Sequence, residues 1–95
     1  MIDVKQAVRI AISHLGGLYP DTALEEIMLE EVELSSDSQH WLVTIGFDRP
    51  KKYTGAGISF LPFPVAATER VYKTITISSD QGQFVSMRMR EAPKE

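Results

Sequence analysis

Apolar residues recur at Val4, Ala7, Val8, Ala11, Ile12 and Leu15, the spacing that lines one side of an α-helix. Asp3 stands where an N-cap side chain accepts from the first free amides, and Gln6, three residues on, completes a capping box. The pattern predicts a helix over 4–15, stopped by Gly16-Gly17, because glycine takes the left-handed conformation at a helix C-terminus without a Cβ clash. Ile10 falls off the stripe and is a candidate for a second contact. Residues 18–21, Leu-Tyr-Pro-Asp, read as a turn.

From residue 22 the period is ambiguous. Leu24, Ile27, Met28 and Val32 fit a helical stripe, whereas Met28, Val32 and Leu34 fit one face of a strand with Ile27 and Leu29 on the other. The residues C-terminal to this segment favour a strand over 27–34, after a short turn or helical piece near 21–25. Ser35-Ser36-Asp37-Ser38-Gln39 is a polar turn cluster, and after it comes the strongest strand of the chain, 41–47. Trp41, Val43, Ile45 and Phe47 share one face of it, and Leu42, Thr44 and Gly46 the other.

The last part reads as a second hairpin, 70–78 and 84–90, around Ser79-Asp80-Gln81-Gly82-Gln83, with Gly82 suited to a positive φ. A turn centred on Gln81 sets Ile77 opposite Val85, Ile75 opposite Met87 and Lys73 opposite Met89. It buries Val71, Ile75, Ile77, Val85, Met87 and Met89, and turns Tyr72, Thr74, Thr76, Phe84, Ser86, Arg88 and Arg90 outward. Between the hairpins, 48–69 contains Pro50, Pro62, Pro64, Gly55 and Gly57 and no regular period, which predicts a long loop. The expected fold is therefore one α+β domain over 1–95. A single N-terminal amphipathic helix packs on a four-stranded antiparallel sheet (three-stranded if 22–34 is helical), with the 48–69 loop preceding the C-terminal hairpin.

Composition narrows the function classes. The 95 residues are 43% apolar and 24% charged, as expected of a folded domain with its own core. There is no cysteine, so disulfides, thiolate metal sites and cysteine nucleophiles are excluded together. No secretory signal or membrane-spanning run is visible, and the expected location is the cytoplasm. His14 and His40 are not at ligand spacing, no strand–turn–helix serine motif is present, and Gly55-Ala56-Gly57 lacks the Lys-Ser/Thr ending of a phosphate loop. No cofactor, metal or catalytic residue is expected.

A net charge of −3 argues against general nucleic-acid binding. The distribution says more than the sum. Residues 21–37 hold seven acids and no base, and residues 49–90 hold seven bases against two acids. Either acidic and basic strands pair across the sheet, or one face meets a charged partner. The centre of the long loop is apolar. Phe60, Leu61 and Phe63 either fold back over the core or form a patch for a partner.

The order of segments resembles the PepSY-type domain. An alanine-containing helix over 4–15 precedes Glu30-Glu31-Val32-Glu33-Leu34 and Trp41-Leu42-Val43-Thr44-Ile45. Then come Arg70-Val71-Tyr72-Lys73-Thr74-Ile75-Thr76-Ile77 and Asp80-Gln81-Gly82-Gln83-Phe84-Val85-Ser86-Met87. The resemblance implies an α-β-β-β core and a non-catalytic, inhibitory or regulatory role towards a partner, with no catalytic residues to carry over. The function expected is accordingly a small protein-binding module of immunity or inhibitor type, its partner a protein. Tyr53, Phe60, Leu61, Phe63, Tyr72, Arg88 and Arg90 are the candidate contact residues. The alternatives are a homo-oligomeric structural protein, built as a homodimer through the last strand, and a small-ligand-binding domain.

Overall fold

A computed structural model describes residues 1–20, 23–50 and 68–91. They form a helix α1 (Val4–Leu18) and strands β1 (Glu25–Leu34), β2 (His40–Pro50), β3 (Thr68–Ser78) and β4 (Phe84–Arg90). The strands make one antiparallel sheet in the order β1-β2-β3-β4, with α1 on one side. The α+β class and the four-stranded sheet are as the periodicities predict. β2 and β3 run further than expected: Asp48, Arg49 and Pro50 pair with Arg70, Glu69 and Thr68, so both ends of the 48–69 segment belong to the sheet. The loop expected there, with Tyr53, Phe60, Leu61 and Phe63, otherwise lies outside the described residues.

The helix starts as its sequence dictates. Asp3 Oδ1 accepts from the Gln6 amide at 2.8 Å, and Gln6 Oε1 accepts from the Asp3 amide at 2.9 Å. Its end is different. The helix continues through Gly16 and Gly17 to Leu18 and is capped at Tyr19. Glycine permits a left-handed stop but does not impose one. Beyond the glycines Tyr19 is anchored on Phe47, ring centroids 5.8 Å apart, which holds the chain in line.

Ala7, Ala11 and Leu15 are the fully buried residues of α1, and they lie on Val43, Ile45, Phe47, Val71, Ile75 and Ile77. Two alanines at i, i+4 bring the helix backbone close to the sheet. Val4 and Ile12, at the borders of the stripe, are more than a third exposed. Ile10 does make the second contact: its Cδ1 lies 2.8 Å from where a Cβ on Gly82 would be, so it closes over the β3–β4 turn, and Gly82 has φ +72°. The N-terminus is tied to the same end of the sheet. The Ile2 amide donates to the Ser79 carbonyl at 2.8 Å, and Trp41 Nε1 donates to the Ile2 carbonyl at 3.2 Å.

Two registers depart from simple alternation. In β1 the pairs Leu29–Ile45 and Glu31–Thr44 leave Glu30 as an extra residue, a β-bulge. The bulge reverses the phase, so Leu29 shares the helix side with Val32 and Leu34, while Met28 falls opposite Gly46 on the other face. This corrects the expected grouping of Met28 with Val32 and Leu34. In the second hairpin Ile75–Met87 and Lys73–Met89 pair as expected, but Ile77 is opposite Phe84 rather than Val85. Phe84 is consequently on the helix side, its ring 5.0 Å from that of His14, and not on the outer face. Val85 and Met89 are exposed rather than buried, because one helix cannot cover four strands and β4 is at the sheet edge.

Candidate functional site

The face of the sheet away from the helix is a lattice of charged side chains. Arg70 on β3 is its centre. Nη1 donates to Asp48 Oδ1 at 3.3 Å and to the Glu26 carbonyl at 2.7 Å, and Nη2 donates to Glu30 Oε1 at 3.3 Å. The Arg70 guanidinium also lies 5.9 Å from the centre of the Tyr72 ring. A Cβ on Gly46 would stand 2.9–3.0 Å from Glu30 Oε1, Arg70 Nη2 and Tyr72 Cε1, so the missing side chain lets these groups lie flat across β2. At the neighbouring level Arg90 Nη1 donates to Glu31 Oε1 at 2.8 Å and to Thr44 Oγ1 at 2.9 Å, and the hydroxyls of Thr44 and Thr74 are 3.0 Å apart. This chain of contacts links all four strands. On the helix side, Arg49 Nε donates to its cross-strand partner Glu69 Oε1 at 2.8 Å near the end of the β2–β3 ladder.

The electrostatics arise from these contacts. The hydrogen bond and positive charge of Arg90 hold the Glu31 carboxyl below its ordinary value of 4.5. The Ser35 hydroxyl and the Gln39 amide do the same for Asp37 in the β1–β2 turn. The acidic 21–37 and basic 49–90 segments therefore do pair within the chain, although β1 is a ladder neighbour of neither β3 nor β4. Long arginine side chains bridge the gap, Arg70 reaching over β2 to Glu30 and Arg90 over β3 and β2 to Glu31. A cavity of about 230 Å³ is bordered by Arg49, Glu69, Arg70, Tyr72, Met89 and Arg90, but each of its guanidinium groups is already matched to a carboxylate. Among the described residues no group of three His, Asp or Glu side chains is placed to hold a metal ion.

Of the predicted contact residues, Tyr72 and Arg90 are brought together as cross-strand partners on the outer face, and Arg88 is exposed two residues from Arg90. Tyr53, Phe60, Leu61 and Phe63 are outside the described residues.

The helix side carries a feature that the sequence pattern does not single out. Val4, Lys5, Val8, Leu29 and Val32 line a groove of about 290 Å³ between α1 and the edge strand β1. Leu29 at its rim is 45% exposed. The only sequence signal for this groove is the breadth of the α1 stripe, which includes Val4 and Val8 but has just Ala7, Ala11 and Leu15 fully buried. At the opposite edge Val85 and Met89 are exposed, Met89 to 73%. Apolar side chains thus stand uncovered along both edges of the sheet. Among the described residues no helix is long and apolar enough to cross a membrane. In comparison with known proteins, the chain matches no family model, no curated protein and no solved structure.

Proposed function

We propose that this protein is a small, non-catalytic protein-binding module that regulates or inhibits a partner protein in the cytoplasm. The observation that carries the reading is the uncovered apolar groove between α1 and β1, with Leu29 at its rim and Val4, Val8 and Val32 as walls. Soluble domains seldom leave contiguous apolar surface bare unless something covers it. The charged face supports the same reading from the other side. Arg70 and Arg90 are each held by carboxylates of the chain itself, an arrangement that stiffens the sheet rather than one that presents free groups to a reaction. The helix-then-strands order fits the PepSY-like resemblance and its regulatory implication.

The test is affinity capture from the cells that make the protein, with wild type, Leu29→Asp and, as control, Leu18→Asp at the far end of the helix, 49% exposed and outside the groove. The expected result is a partner recovered by wild type and by Leu18→Asp and lost by Leu29→Asp, with circular dichroism unchanged in all three. Equal recovery by all three removes the groove as the contact.

A further inference from the structure

Among the described residues β1 and β4 are the two edges of the sheet, and their sequences are complementary. The regularly paired part of β1 is Glu31-Val32-Glu33-Leu34, and the end of β4 is Met87-Arg88-Met89-Arg90. Cross-strand partners share a face, which assigns each residue a side. Val32 and Leu34 pair with Val43 and Trp41 on the helix side, and Met87 pairs with Ile75 on that same side, Met89 with Lys73. Glu31, Glu33, Arg88 and Arg90 are on the outer side. One edge therefore reads apolar towards the helix and acidic away from it, and the other apolar towards the helix and basic away from it. From these two edges we infer that the protein assembles head to tail, β4 of one copy adding to β1 of the next, with Arg90 opposite Glu31, Met89 opposite Val32, Arg88 opposite Glu33 and Met87 opposite Leu34.

The inference rests on the reading of the protein as a binding module and names a second copy as the partner at this edge. Three observations select that occupant. First, direction: the sheet alternates strictly, so β1 and β4 point in opposite senses, and joining them continues an antiparallel sheet with every helix on one side. Second, charge: pairing β1 with itself brings together two rows of five glutamates, and pairing β4 with itself brings Arg88 and Arg90 together with no acid in either strand, whereas β4 on β1 matches base to acid. Third, Arg88 and Glu33 form no ion pair within the chain among the described residues, unlike Arg90 and Glu31. The added strand also brings Met89, the most exposed apolar side chain of β4, beside Val32 at the wall of the α1–β1 groove. Such a heterologous contact makes a ring or an open filament rather than a closed two-fold dimer.

Sedimentation velocity over a concentration series tests this with charge-exchange variants. Wild type is expected to self-associate beyond the dimer. Arg88→Glu and Glu33→Arg each place like charges at every junction and are expected to weaken association about tenfold. An equimolar mixture of the two restores it. In that mixture each junction joins either the wild-type pair or the reversed pair, and a variant that had merely misfolded cannot be rescued this way. A register check uses the absence of native cysteine: Val32→Cys mixed with Met89→Cys is expected to give an oxidised heterodimer and neither homodimer. A monomeric wild type overturns the inference and leaves the partner-binding reading to its own Leu29→Asp test. Self-association indifferent to Glu33→Arg overturns it in favour of a β4–β4 dimer.

Discussion

Replacing Gly16 by alanine distinguishes two helix ends by the sign of one number. If α1 stops at the glycine pair, Gly16 supports a left-handed cap, and an added Cβ costs about 1–2 kcal/mol. The structure instead carries α1 through to Leu18, with Gly16 inside the last turn and nothing within 4 Å of the position its Cβ would take. Alanine there meets no atom, and it removes backbone freedom from the unfolded chain. Interior glycine is less favourable than alanine by about 0.5–1 kcal/mol, so Gly16→Ala is expected to stabilise by that amount. For a chain of 95 residues such a gain raises the melting temperature by roughly 2–8 °C. Thermal unfolding followed by circular dichroism reads it directly, and urea unfolding gives the free energy with an unchanged m-value. Gly17→Ala, one residue nearer the end, should act in the same direction and more weakly. A fall in melting temperature for Gly16→Ala refutes the extended helix and restores the glycine stop.

Burial and charge give two further outcomes. Leu15→Ala and Leu18→Ala make the same chemical change three residues apart in one helix; the first removes a fully buried side chain and is expected to cost about 3 kcal/mol or more, while the second, at a residue 49% exposed, costs about 1 kcal/mol or less, both by urea unfolding. Equal losses would place the core face of α1 elsewhere. Glu31 and Asp37 have folded-state pKa values below their ordinary 4.5 and 3.8, so each contributes stability above the unfolded value that is lost as pH falls through the folded one. Unfolding titrations from neutral pH down through that range should show stability falling, with a shallower fall in Glu31→Gln; an identical slope in that variant removes the Arg90 pair as a cause.

Much of the molecule is legible from one-dimensional pattern because it depends on near neighbours. The α1 stripe, the Asp3–Gln6 capping box, the alternation of Trp41, Val43, Ile45 and Phe47, and the positive φ of Gly82 are properties of a few consecutive residues, and all four are found. The split between acidic and basic segments is also visible in the chain, and it correctly raises pairing across the sheet. Which acid meets which base is not visible there. Glu30 and Arg70 are 40 residues apart and Glu31 and Arg90 are 59 apart, and they meet only because the strand order and register set Arg70 on β3 and Arg90 on β4 within reach of β1 across one outer face.

The sequence by itself thus determined the elements and the sign of each edge. Tertiary structure decided three things. It carried α1 past two glycines, because Tyr19 gains a contact with Phe47 that a left-handed turn would forgo. It inserted Glu30 as a bulge, which moved Leu29 to the helix side and built a groove with Val4, Val8 and Val32. It also left Val85 and Met89 exposed where alternation alone would bury them. A period of two or 3.6 residues tells a side chain which way to point, but burial requires something on that side, and here one helix covers the middle of a four-stranded sheet and leaves its edges open.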